Sequence, residues 1–162
     1  MEAAIKRILP HSTEAEQAVV GAMLMDKDAI MVAAEMLTGE DFYQSAYGML
    51  FDAMVELFQA GKPVDLITLQ NRLKEKDLPP DISSMEYVRE LLAAVPTSAN
   101  VKYYANIVSE KALLRRLIKA TEEVANNCYL EKESTETLLE EAEKTLFSIL
   151  QRSIGGDYVL WF

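Results

Sequence analysis

The sequence predicts an all-α fold, a globular multi-helix head followed by a long antiparallel helical hairpin. Three observations predict it. Apolar residues recur at three- and four-residue spacing almost everywhere, and no alternating run suggests a strand. From Ser98 to about Cys128 one helical pattern runs on without Pro or Gly. The 162 residues, half of them hydrophobic, suffice to enclose roughly 70 % of the unfolded surface without disulfide staples. The chain is accordingly divided into a tail (1–11), a helical head (12–97), a hairpin (98–152) and a truncated linker or added segment (153–162).

The first helix is expected to begin at Ser12 as N-cap, with Thr13 and Glu16 at capping-box spacing. Its inner face would carry Ala15, Val19, Ala22 and Met23, and Asp26 breaks it. A second helix is predicted from about Asp28 to Leu37. Thr38-Gly39 turns the chain, and Asp41-Phe42 starts a short helical turn. A strong helix over Ser45–Ala60 presents Tyr47, Leu50, Phe51, Met54, Leu57 and Phe58, and Gly61 with Pro63 stops it. Asp65 caps the next helix, Leu66–Lys76, with Val64 and Leu69 spaced as a hydrophobic staple. Leu78 to Asp81 is a loop. Ser83 and Glu86 have capping-box spacing before a helix to about Ala94, which Pro96 ends.

The first hairpin helix would be on the order of 45 Å long at 1.5 Å per residue. A polar stretch, Glu131 to Ser134, turns the chain into a second helix, Thr135 to Arg152. Leu114, Leu117, Thr121, Val124 and Cys128 form one stripe, and Leu139, Ala142, Leu146 and Ile149 form another. These two stripes are expected to face each other. Ile118, Ala125, Leu138, Phe147 and Leu150 then lie off the seam, so something besides the hairpin must cover them. Gly155-Gly156 is a joint, and Asp157 to Phe162 is unusually apolar. Trp161 and Phe162 are candidates to dock into a neighbour's groove.

Chemistry-bearing patterns are sparse. Neither a G-x-x-x-x-G-K-[ST] phosphate loop nor G-x-G-x-x-G occurs. With His11 and Cys128 the only residues of their kinds, a four-ligand structural zinc site is excluded. A Cys–His nucleophile pair is formally open, but Cys128 reads as part of the hairpin seam. Glu122-Glu123 with Asn126, and Glu140-Glu141 with Lys144, each lack the third carboxylate of the E-E-x-x-[ED] magnesium motif. A solvated helix face is the preferred reading. The methionines at 23, 25, 31, 36, 49 and 54 read as core, and Tyr103-Tyr104 as packing rather than base stacking. Acids outnumber bases 26 to 16, giving −10, so tight direct DNA binding is not expected. No apolar run reaches the ~20 residues of a membrane span. A single cysteine points to a reducing cytoplasm.

Five segments in series carry a family resemblance. Pro10-His11-Ser12-Thr13-Glu14-Ala15-Glu16-Gln17-Ala18-Val19 resembles a P-H-S-x-E-A-E-Q-x-V start. Glu40 to Tyr43 resembles E-D-F-Y, and Gly61 to Leu69 resembles G-x-P-V-D-x-x-T-L. Val95 to Ala105 and Glu110 to Ile118 resemble the approach to, and middle of, a long helix. Together they resemble the N-terminal domain of the DnaB-type replicative DNA helicases over roughly residues 9 to 150.

The resemblance implies a non-catalytic collar that assembles as dimers, or as a hexamer built as a trimer of dimers. It implies that heads pair at one interface and hairpins at another, and that primase docks around the hairpin. Carried over by position, the partner-binding candidates are Tyr87, Ile118, Val124 and Leu138, with intramolecular or dimer packing as the equal alternative. No cofactor is implied here, since ATP and Mg belong to a separate motor domain. Two other readings stay open. One is an independent helical adaptor such as a helicase-binding domain of primase, and the other a Mg-dependent nucleotide hydrolase.

Overall fold

The computed structural model describes residues 7–79, 81, 84–95 and 97–154. The capping role expected of Ser83, the stop at Pro96, the joint at Gly155-Gly156 and the segment 157–162 lie outside the described residues. Among the described residues seven α-helices and one 3-10 turn have defined bounds, and there is no strand. They are α1 (Thr13–Met25), α2 (Lys27–Met36), the 3-10 turn Gly39–Asp41, α3 (Ser45–Gln59), α4 (Leu66–Glu75), α5 (Met85–Ala93), α6 (Val101–Leu130) and α7 (Thr135–Ile154). The chain forms two compact units. One runs from His11 to Ala112, and the other comprises the residues from Leu113 onward together with those up to Pro10.

In the first unit the ends of the helices are set by local chemistry. The Ser12 hydroxyl accepts from the Ala15 amide and starts α1. Asp26 ends α1 and, through its carboxylate on the Asp28 amide, starts α2. Thr38 and Asp41 form the capping box of the 3-10 turn. Gly48 lets α3 approach that turn, because a Cβ there would collide with the Gly39 carbonyl. At the end of α3, Gly61 takes φ +73°, and the amides of Gly61 and Lys62 bond to the carbonyls of Phe58 and Leu57. That pair of bonds is the Schellman stop. Asp65 and Thr68 cap α4 reciprocally.

Two expected caps differ. Glu16 does not fold back on its own helix start, because its carboxylate is taken by amides 27 and 28 residues away. The α5 cap is Ser84, whose hydroxyl accepts from the Tyr87 amide.

Helices α1 to α4 close on a common core in which Val19, Val20, Met23, Ile30, Leu50, Met54, Leu69 and Leu73 are fully buried. α5 packs against α1 and α4 and adds Val88 and Leu91. Ala105 and Val108 of α6 belong to the same cluster. Of the six methionines expected inside, Met23 and Met54 are buried, Met36 and Met49 partly so, and Met25 and Met31 are exposed. Met25 is the last residue of α1, and Met31 stands on the exposed side of α2 at mid-helix.

In the second unit the short loop 131–134 turns α6 into α7. Glu131 takes φ 49° to end α6, and the Ser134 hydroxyl caps α7 by accepting from the Thr137 amide. A cleft of about 40 Å³ is bordered by Val124 and Asn127 from α6 and by Leu138, Ala142 and Thr145 from α7. The four-residue loop between Leu130 and Thr135 returns the chain alongside itself, so the pair is antiparallel. Residues 7–10 join this unit, and the Pro10 carbonyl accepts a 2.8 Å bond from the Arg115 guanidinium.

Candidate interaction surface

Three small side chains set how the hairpin closes. Ala120 is buried on α6, and Ala142 and Thr145 are half-buried on α7. Small residues let two helix backbones approach, so the seam runs through these positions together with Leu113, Val124, Leu138 and Ile149, all half-buried. This differs from the expected seam by one residue on each helix. Leu114, Leu117, Thr121 and Cys128 of α6 and Leu139 and Leu146 of α7 are exposed rather than mutually packed. Of the expected seam residues, Val124, Ala142 and Ile149 are half-buried.

One residue is 100° of helix rotation. Because the helices are antiparallel, a shift in the same chain direction turns both displaced stripes to the same side of the hairpin. Leu114 and Leu117 thus share a face with Leu139, Leu146 and Leu150. Leu139 is 67 % exposed and Leu150 56 %. Phe147, 53 % exposed, stands on the outer side of α7. Hiding the open part of each such side chain from water is worth on the order of 1 kcal/mol. A row of them is more than a soluble surface ordinarily leaves bare.

The four partner-binding candidates fall in three places. Val124 and Leu138 come together at the hairpin cleft. Leu138 was expected to lie uncovered. It is instead half-buried on the seam, because the smaller Thr145 rather than Leu146 faces inward on α7. The cleft is small, with room for a few waters at about 10–15 Å³ each. Ile118 is half-buried one turn from Leu114, at the border of the exposed face. Tyr87 lies on α5 in the other unit, half-buried against the core. Burial, and then the neighbouring Tyr47, raise its phenol above the ordinary value near 10, so it stays neutral. Tyr47 is raised in turn by its own burial and by the charge of Glu16.

Sequence reasoning undervalued Leu114, Leu117, Leu139 and Leu146 by assigning them to the seam. The available signal was size, since the bulkier stripe on each helix lies outward and the smaller one inward.

Acid clusters do not assemble into a centre. Glu123 and Glu141, one from each helix, border the cleft, and among the described residues no group of three or more His, Cys, Asp or Glu is placed to hold a metal. Among the described residues no helix is long and apolar enough to cross a membrane. His11 stacks on Tyr43, with ring centroids 4.0 Å apart and planes 11° from parallel.

Comparison with known proteins places this architecture. The family model described as the DnaB-like helicase N terminal domain matches residues 8–110. The replicative DNA helicase DnaB of Geobacillus stearothermophilus is 42 % identical over 153 residues, which is 94 % of this chain and 34 % of that protein. The crystal structure of the N-terminal domain of DnaB helicase from Mycobacterium tuberculosis matches with a TM-score of 0.82 at 37 % identity. That match covers 87 % of this chain and 99 % of the other. A structure described as a DnaB-like replicative helicase and its interactions with primase matches with a TM-score of 0.68 at 27 % identity, over 85 % of this chain and 31 % of that one. The chain spans about a third of the length of the curated relatives it matches. The helical head, the hairpin and these matches agree, and the chain belongs to the DnaB-like helicase N-terminal domain family.

Proposed function

We propose that this chain is the assembly and docking part of a replicative DNA helicase, with no catalytic site of its own. The head, residues 12–97, and the hairpin, residues 98–152, present separate contact surfaces. The observation that carries the reading is the exposed apolar face of the hairpin, Leu114, Leu117, Leu139, Leu146 and Leu150. A second copy covers it, giving dimers and, with head contacts, a ring of three dimers. Ile118 at its border and Tyr87 on the head supply the primase contact, and Val124 and Leu138 hold the hairpin phase beneath it. The matched helicase described with its primase interactions supports that partner. ATP and Mg²⁺ serve the part of the relatives that this chain does not span.

Sedimentation velocity on the full chain tests the assembly. The particle is expected to be a dimer or larger, and Leu117→Asp with Leu146→Asp should lower its mass with the helical circular dichroism retained. A monomer at every concentration, or a double variant of unchanged mass, rules out the hairpin face. Titration with primase should show binding that Ile118→Asp weakens at least about fivefold, the loss of one well-buried apolar contact. Phosphate release from several nucleotides should not exceed the blank, and turnover would instead favour a hydrolase.

A further inference from the structure

A groove of about 400 Å³ lies between the junction of α1 with α2 and the turn after α3. Met23, Ile30, Phe58 and Val64 line it, and Met25, 41 % exposed, forms an open wall. Lys27 and Lys62 line it with one carboxylate, Asp26, all three exposed, which leaves the groove net positive in a chain of net charge −10. Its volume lies in the range of roughly 300–1,000 Å³ typical of pockets that enclose a ligand. Methionine side chains adapt in shape and contact aromatic rings favourably. Lysine ammonium groups attract both carboxylates and aromatic faces. The groove therefore suits a segment that joins an acid to large apolar and aromatic side chains.

Asp157-Tyr158-Val159-Leu160-Trp161-Phe162 has that chemistry, with one carboxylate followed by five large apolar residues, three of them aromatic. We infer that the groove receives residues 157–162 of a second copy, with Trp161 against the methionine-lined floor and Asp157 at the lysine rim. The contact joins two different surfaces, so each copy offers one groove and one segment. Exchanged reciprocally it closes a pair, and passed on head to tail it builds rings or filaments. It does not depend on the hairpin face, and the two fail separately.

Trp161 is the only tryptophan, so its fluorescence reports this segment alone. On the full chain, the emission should be blue-shifted at high concentration. It should move to the red on dilution and on addition of excess synthetic peptide of residues 155–162 carrying Trp161→Phe, which does not emit as indole. Met25→Asp with Lys62→Glu changes only exposed positions. It should shift the transition to at least about fivefold higher concentration, from lost apolar contact and reversed charge, with circular dichroism unchanged. Emission typical of exposed indole at every concentration overturns the inference. So does a blue shift that survives dilution, which would mean burial within one copy. A dilution-sensitive shift that ignores the groove variant overturns it as well. Leu117→Asp with Leu146→Asp should lower the sedimenting mass and leave the effect of the groove variant in place. A failure of hairpin pairing is thus told apart from a failure of the groove.

Discussion

Glu16 shows how one residue joins segments that are distant in sequence. A carboxylate that is 1 % exposed is costly unless its oxygens are bonded. Here one oxygen accepts the Tyr43 amide at 2.8 Å and the other the Gln44 amide at 3.0 Å, at the bend that precedes α3. His11 stacks on the ring of the same Tyr43. The P-H-S-x-E-A-E-Q and E-D-F-Y segments, read from the sequence as separate motifs, are therefore two halves of one clasp. Glu16→Gln keeps the shape but removes the charge and turns one acceptor into a donor that faces an amide. The expected loss is about 1.5–3 kcal/mol, the worth of a buried charge-assisted bond plus an unsatisfied donor. Urea unfolding monitored by circular dichroism measures it. A loss below about 0.5 kcal/mol would mean that water reaches the bend and that the clasp is not structural.

The contact between α3 and α4 is held at its rim by Glu56, which takes bonds from Lys76 at 2.8 and 3.0 Å and from Arg72 at 2.8 and 3.0 Å. The bond from Lys76 first, and that from Arg72 after it, lower the Glu56 carboxyl below its ordinary value. A group whose folded pKa lies below its unfolded one stabilises the fold above the unfolded value. That contribution is lost as pH falls through the folded value. All three side chains are partly exposed, so the stabilisation is small, about 1 kcal/mol or less. The urea midpoint of the natural chain should exceed that of Glu56→Gln at neutral pH, and the gap should close in acid below the ordinary glutamate range. A gap that is unchanged at acidic pH would show that Glu56 acts through packing alone. At this scale most of the fold was legible. Ser12, Gly61 and Asp65 act as their types and places required, because caps are decided by a few adjacent residues. The phase of the hairpin was not legible. On α7 the series 138-142-145-149 and 139-142-146-149 are both uncharged and both helical in spacing, so periodicity cannot choose between them. The choice came from Ala120 on α6 and Thr145 on α7, smaller than Leu146 beside it, whose lack of bulk lets the backbones close. The expectation of more apolar surface than two helices can hide still holds, with the inner and outer stripes exchanged. Cys128 moved from seam to surface for the same reason.

For the whole molecule, two kinds of contact are proposed, and its charge separates them. Each copy carries −10, so two copies repel while their apolar faces attract. Repulsion between exposed charges is screened over a Debye length, about 10 Å at 0.1 M salt and about 3 Å at 1 M. Apolar burial is not weakened by that screening, and some salts strengthen it. Self-association should therefore tighten as sodium chloride is raised. Docking of a partner by opposite charge should loosen over the same range, because its attraction is what the salt removes. Sedimentation velocity at low and high salt reads the first, and a primase titration under the same conditions reads the second. If self-association weakens with salt, opposite charges across the interface hold the copies together, and the exposed leucines of α6 and α7 are not the driving contact. If primase binding is indifferent to salt while Ile118→Asp abolishes it, docking is apolar, and the acidic surface serves solubility alone.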